Sequence, residues 1–269
     1  MSAEMKFEGV ASDGNMRIAV LCDRLGPYHH ARLTALSRKV DLIAIEFSLA
    51  DETYAWDLIQ DTRAYRRVTL LRDKPIGMHS PKTVAISVKS VLDELNPQVV
   101  VIPGWDAPAA LIALQWCLDT GTPSVLLSES QKNDQKRVWW KELIKGRIVQ
   151  LHSAGFVGGS QHVAYLESLG LPRSRIFTGC DVVDNDYFSA AAEAARLDNS
   201  TRERFGLPDA YFLASGRFVE KKNLQLLLFA YAEYCMKAGD SAWSLVLNGD
   251  GPLKPQLTEL RKELGLEKK

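Results

Sequence analysis

From Met16 onward, short apolar runs alternate with longer segments in which apolar residues recur at helical spacing. "RIAVLC" (17–22), "DLIAIEF" (41–47), "QVVVIPG" (98–104), "SVLLSE" (124–129), "AGFVGG" (154–159) and "RIFTGC" (175–180) are almost continuously apolar. A strand with one wet face alternates apolar and polar residues, whereas a strand covered on both faces does not, as in parallel sheets. These segments therefore predict parallel strands, and "RRVTLL" (66–71) predicts another. Helices fit between them. In "SPKTVAISVKSVLDEL", Ser80 is placed to cap and Pro81 to open a helix. Val84, Val88, Val91, Leu92 and Leu95 would then share one face. "SQHVAYLESLG" opens on Ser160 and closes on Gly170. The alternation predicts a doubly wound, Rossmann-like α/β domain with ligands at the carboxyl ends of its strands.

The rhythm breaks over 181–208, a polar, alanine-rich, helix-favouring stretch that ends in Gly206-Leu207-Pro208. It then restarts with "YFLASGRF", a helix with Leu224, Leu227, Leu228, Tyr231 and Cys235 on one face, "WSLVLNGDG", and a last helix carrying Leu253, Leu257, Leu260 and Leu264. Two strands with two helices leave an apolar sheet edge open, so this part reads as the first βαβα portion of a second Rossmann-like domain. The expected organisation is a flexible N-terminus (1–15), an N-terminal domain (16–185), a connector (186–208) and a partial second domain (209–269).

Composition narrows the options. The 269 residues, 46% hydrophobic, can supply one large core or two smaller ones. Lysine plus arginine (33) balances aspartate plus glutamate (33), so no global field attracts nucleic acid and any anion site must be local. Cys22, Cys117, Cys180 and Cys235 lie far apart without metal-ligand spacing, which reads as buried free thiols in a reducing cytosol. The N-terminus lacks the apolar stretch of a signal peptide. The longest apolar stretch is interrupted by Pro103, Gly104, Asp106 and Pro108, and reads as a strand followed by a helix. No GxGxxG follows the first strand, which disfavours a dinucleotide dehydrogenase. The acidic run "DVVDND" suits turn and capping roles better than metal ligation, so neither metal nor cofactor is expected.

The chemistry concentrates in "ASGRFVEKKN" (214–223). A parallel strand ending at Gly216, followed by Arg217 and by Lys221 and Lys222 at a helix start, would cradle a phosphate. Arg217 can grip phosphate oxygens as a fork, and Lys222 adds a point charge. The next strand ends in Asn248-Gly249-Asp250-Gly251, whose glycines would leave room for a flat ligand or its ribose. The plainer alternative has the lysines solvated and the glycines merely turning the chain.

"SGRFVEKKNLQLLLFAYAEY…WSLVLNGDGPLKPQLTEL" resembles the opening of the nucleotide-sugar domain in the group 1 (family 4) retaining glycosyltransferases of GT-B fold, here shortened at the C-terminus. The preceding chain, ending in "RIFTGCDVVDNDYF", is similar to their acceptor domain and its exit segment. The resemblance implies that Arg217 and Lys222 hold the donor diphosphate and stabilise the leaving nucleotide in place of a metal. It implies that Gly216, Asn248, Gly249 and Gly251 border the donor, and that Gly26 in "DRLGPYHH" lies where donor and acceptor meet. His29 and His30 beside it read as a solvent-facing helix turn. Glu129 stands where many members carry a histidine; it would contact an acceptor hydroxyl or the transferred sugar, or else be a buried, hydrogen-bonded strand-end carboxylate. Glu259 and Glu267 match the spacing of the family's Glu-x7-Glu pair, but on and just past a terminal helix, so the true pair is expected beyond Lys269.

The implied function is transfer of a sugar from a nucleotide-diphosphate-sugar donor to a sugar, glycan or lipid-linked acceptor, in glycan or glycolipid biosynthesis. Alternatives are a GT-B-fold nucleotide-sugar epimerase and a truncated, non-catalytic homologue. "QKRVWWKELIKGRIVQ" (135–150) interleaves Trp139 and Trp140 with Lys136, Arg137, Lys141, Lys145 and Arg147. Either it rests on the inner face of a membrane, making a cytoplasmic protein peripheral, or it packs its tryptophans on the sheet with the lysines outward.

Overall fold

The computed structural model describes residues 15–49, 59, 63–198 and 200–267; most of the expected flexible N-terminus, residues 1–14, lies outside them. Contacts divide the chain into two compact units that meet at Asn185 and Asp186. The first unit runs β1 (Arg17–Cys22), α1 (Pro27–Ser37), β2 (Asp41–Ser48), β3 (Arg66–Leu71), α2 (Pro81–Leu95), β4 (Val99–Pro103), α3 (Pro108–Thr120), β5 (Ser124–Ser128), α4 (Trp139–Gln150), β6 (Ala154–Val157), α5 (Ser160–Ser168) and β7 (Ile176–Thr178). Its seven strands form one sheet in the order β3-β2-β1-β4-β5-β6-β7, every neighbouring pair parallel. The order reverses between β1 and β4, where Ile18 stands between Leu42 and Val99. In an open α/β sheet that reversal opens a crevice beyond the carboxyl ends of the strands.

The near-continuous apolar strands arise because both faces are covered. On β1, Ala19 and Leu21 join Ile43, Ile45, Val100 and Ile102 against α2 and α3. Cys22 turns to the opposite face with Leu42, Ala44 and Leu33 of α1. In α2, Ser80 accepts a hydrogen bond from the Thr83 N–H at 3.1 Å, and Val84, Val88, Leu92 and Leu95 are buried. Asn96, at φ +44°, then ends the helix in a left-handed conformation.

Glu46 breaks the apolar pattern. It shares the face of Leu42 and Ala44 and is fully buried. Its Oε1 accepts from Arg67 Nε at 2.8 Å and Thr69 Oγ1 at 2.6 Å, and its Oε2 from the Leu25 N–H at 3.1 Å. A buried carboxylate is tolerated only when paired and hydrogen-bonded in this way. The pairing also fastens the β1–α1 loop to β2.

The second unit contains α6 (Asn185–Leu197), α7 (Ser200–Arg204), β8 (Tyr211–Ser215), α8 (Leu224–Ala238), β9 (Ser244–Asn248) and α9 (Lys254–Glu263). Strands β8 and β9 pair in parallel, and Phe218, Leu224, Leu228, Tyr231, Leu257 and Leu266 form the core. Tyr231 donates to the Trp243 carbonyl at 2.8 Å, and the Trp243 N–H donates to Tyr234 at 3.0 Å. This core is thin: Phe212, Leu213, Leu226 and Phe229 remain exposed.

The cysteines are free; Cys22, Cys117 and Cys180 are buried, whereas Cys235 is only partly so. Helix α4 reverses the packing alternative posed for 135–150. Trp139 is 79% and Trp140 47% exposed. Lys145 points inward instead, donating to Glu142 and to the Tyr165 hydroxyl, both at 2.7 Å. Gly146 explains the seating, since a Cβ there would come within 3.0 Å of the Leu169 carbonyl oxygen. The helix therefore approaches the rest of the unit through Gly146, Ile148 and Val149, and both tryptophans are left exposed.

Candidate functional site

In the second unit the site candidates converge where β8 and β9 end. The Gly216 N–H donates to the Asn248 carbonyl at 3.0 Å and the Phe218 N–H to the Asp250 carbonyl at 2.8 Å, so the two post-strand loops run as one platform. Gly249 and Gly251 make this possible. A Cβ on Gly249 would fall 1.9 Å from the Gly216 carbonyl oxygen, and one on Gly251, at φ +152°, 2.7 Å from the Phe218 carbonyl oxygen. The glycines thus allow backbone to meet backbone. Asn248 extends the platform, with its Nδ2 3.4 Å from Ser215 Oγ.

Arg217, Lys221 and Lys222 are all exposed beside this platform. The aliphatic stem of Lys222 passes Gly216, with Cε 3.8 Å from where a Cβ would stand. The lysines, expected at the start of the helix, lie in a turn just ahead of it. Glu220–Lys222 form a single 3₁₀ turn, Asn223 takes a left-handed conformation (φ +47°), and α8 begins only at Leu224. Asn223 is used as a hinge because its short amide side chain tolerates that conformation better than most side chains do. Lys222 accordingly lies before the helix and not on its first turn. Among the described residues no side chain caps α8, which leaves the positive end of its dipole without a capping group.

In the first unit, Gly26 is buried at the N-terminus of α1, next to the β1–β4 reversal. Its N–H donates to His29 Nδ1 at 3.3 Å, and His30 Nδ1 lies 2.8 Å from the Tyr65 hydroxyl. The histidines are half-buried and engaged, which corrects the expectation of a solvent-facing turn. Burial and the nearby Arg32 charge lower the His29 pKa, with Asp181 opposing them. Arg32 Nη1 donates to the Cys180 carbonyl at 2.5 Å and lies 3.7 Å from Asp181 Oδ1. The exit of β7 is thereby tied to α1. Burial raises the Cys180 thiol to about 11, reinforced by the negative charges of Glu129 and Asp181.

Glu129 is exposed just past β5 and makes no hydrogen bond or ion pair among the described residues, so the buried strand-end alternative does not hold. Gly104, Trp105 and Asp106, at the end of β4, also border the β1–β4 reversal. Their signal was present in the interrupted apolar run, but only the strand order shows which ends meet there. Glu259 is paired with Lys262 at 3.1 Å on α9, and Glu267 lies past the end of that helix. No cluster of three or more His, Cys, Asp or Glu residues suited to a metal ion occurs among the described residues.

A doubly wound parallel sheet followed by a second strand–helix unit of the same kind defines a GT-B-like α/β fold. The solved structures that share it include Anabaena Alr3699/HepE in complex with UDP-glucose, with TM-score 0.67 and 14% identity over 94% of this chain and 67% of that one. The UDP-GlcNAc 2-epimerase of Methanocaldococcus jannaschii matches with TM-score 0.57 and 16% identity over 93% of this chain and 69% of that one. The UDP-N-acetylglucosamine 2-epimerase of Rickettsia bellii matches with TM-score 0.53 and 13% identity, covering 93% of this chain and 65% of the other. The chain thus spans about two thirds of the length of these structures. No protein-family model and no curated protein matches it.

Proposed function

We propose that this chain belongs to an enzyme acting on a nucleotide-diphosphate sugar, and that the reaction is transfer of the sugar to an acceptor. The observation that carries the reading is the platform at the ends of β8 and β9, with the Lys222 stem against Gly216 and the exposed Arg217 next in the chain. A diphosphate on this platform would meet two cations and the uncapped start of α8. As the bond from sugar to phosphate breaks, negative charge grows on the departing nucleotide. Cations held in place before the reaction stabilise that charge without reorganisation. A uridine diphosphate donor is the first candidate, because structures of like fold are named for UDP-sugars. In the first unit, Gly26 and the exposed Glu129 are the candidate contacts to donor, acceptor or transferred sugar.

Epimerisation of the nucleotide sugar is the second reading, favoured by the 2-epimerases among the structures of like fold. Both readings need the same phosphate cradle, so binding tests the cradle and turnover separates the reactions. Calorimetric titration of UDP should show Arg217→Ala and Lys222→Ala each weakened roughly 10- to 100-fold, the worth of a charge-assisted hydrogen bond. Unchanged affinity in both variants would remove the cradle. In the protein as the cell makes it, UDP release that requires an added acceptor supports transfer, whereas sugar interconversion without acceptor supports epimerisation.

A further inference from the structure

The outer face of α4 inverts the usual arrangement of a surface helix. Trp139, Trp140, Leu143 and Ile144 are 79%, 47%, 53% and 52% exposed. At 3.6 residues per turn they fall within one face about 140° wide, while Glu142, Lys145 and Val149 fall on the opposite side. The inward charges are neutralised: Lys145 and Glu142 pair at 2.7 Å, and Tyr165 also donates to Glu142 at 2.8 Å. What remains outside is apolar and aromatic, bordered by cations. Lys132 and Lys136, just before the helix, and Lys141 and Arg147 on it are all exposed, Arg147 in line with that face one turn past Leu143. Lys141 Nζ lies 5.5 Å from the Trp140 ring centroid. The nearest exposed acid in this segment, Asp134, accepts from the Gln131 N–H at 2.8 Å.

We propose that this face of α4 docks on an anionic phospholipid bilayer. An exposed tryptophan pair with Leu and Ile beside it, on a helix rimmed by lysine and arginine, has the chemistry of an interfacial helix that lies in the headgroup layer. Tryptophan suits that depth because its ring is apolar and its N–H stays within reach of water and headgroups. Charge complementarity selects the occupant. A second copy of the same face would set cations against cations, whereas phosphatidylglycerol or phosphatidylserine headgroups offset them. The helix is too short to cross a membrane, and no helix among the described residues is long and apolar enough to do so. The contact is peripheral. This inference does not depend on which sugar reaction the protein performs.

The test is flotation of the full chain with vesicles of phosphatidylcholine alone and with added phosphatidylglycerol. Flotation should require the anionic lipid and fall as salt is raised. Trp139→Ser/Trp140→Ser should abolish it, and Lys141→Gln/Arg147→Gln should weaken it roughly fivefold for each charge removed. Leu197→Ser, at an 84% exposed position on α6, should leave it unchanged. All substituted positions are exposed, so circular dichroism should match the parent. The proposal is overturned if the parent does not float, if the double tryptophan variant floats equally well, or if Leu197→Ser is as damaging. It is also overturned if sedimentation shows that the tryptophans drive self-association with no vesicle binding.

Discussion

At the scale of single residues, His152 shows how position overrides residue type. It follows α4, is 1% exposed, and neither ring nitrogen is hydrogen-bonded among the described residues. Burial lowers its pKa from 6.5 to about 4, so it is neutral in the folded protein at pH 7. The unfolded chain binds its proton near pH 6.5 and the folded chain does not until about pH 4. Stability is therefore lost as pH falls through that window, by about 3 kcal/mol in total. Above it the residue contributes no pH dependence. His152→Leu should abolish this part of the acid sensitivity and be no less stable at pH 7, because it removes two unsatisfied polar atoms. Urea unfolding measured at pH 7 and pH 4 checks both expectations; an unchanged pH slope would show that the imidazole is not the source. Nothing around His152 in the sequence marks it as buried, whereas the cations at Arg217 and Lys222 stood out after an apolar strand.

At the scale of elements, the two loops that end β8 and β9 are legible as glycine-rich loops, but their inner construction is not. A glycine in a sequence announces close approach without saying what approaches. Here it is the backbone of Gly216 and Phe218. Gly249→Ala places a methyl 1.9 Å from a carbonyl oxygen, and the parallel pairing of β8 with β9 leaves little room for the loops to part. The expected loss is about 3 kcal/mol, readable as a lowered midpoint in chemical denaturation. Gly216→Ala meets only the flexible Lys222 stem at 3.8 Å and should cost far less. Equal losses would contradict the backbone-contact explanation. The helix after "EKKN" begins at Leu224 as its periodicity implied, but periodicity did not show that Glu220–Lys222 form a separate 3₁₀ turn ahead of it.

At the scale of the whole molecule, the two units differ in how completely they bury their sheets. In the first, β1 and β4 lie inside a seven-stranded sheet covered on both faces. In the second, two strands share a thin core, and Phe212 and Leu213 on β8 are exposed. Opening free energy follows such burial. Amides of β8 and β9 should exchange with deuterium well before those of β1 and β4, as native-state exchange read by mass spectrometry would show. Equal protection would mean that the second unit gains stability from contacts outside its own core.

The apolar runs and their spacing were enough to determine a parallel α/β protein, the positions of its strands and the change of rhythm after Cys180. They act locally: period and caps depend on neighbours a few residues away. The order of the strands, and with it the crevice between β1 and β4, was settled only in three dimensions, since pairing joins segments as distant as Ile18 and Val99. The same holds for Glu46, whose buried charge is acceptable only because Arg67, Thr69 and the Leu25 N–H arrive from elsewhere. It holds for α4 as well. Its composition allowed tryptophans inside or outside, and packing decided: Ile148 and Val149 fill the inner side, Gly146 meets the Leu169 backbone and the tryptophans stay exposed, because a core accepts only the side whose shape it can close-pack.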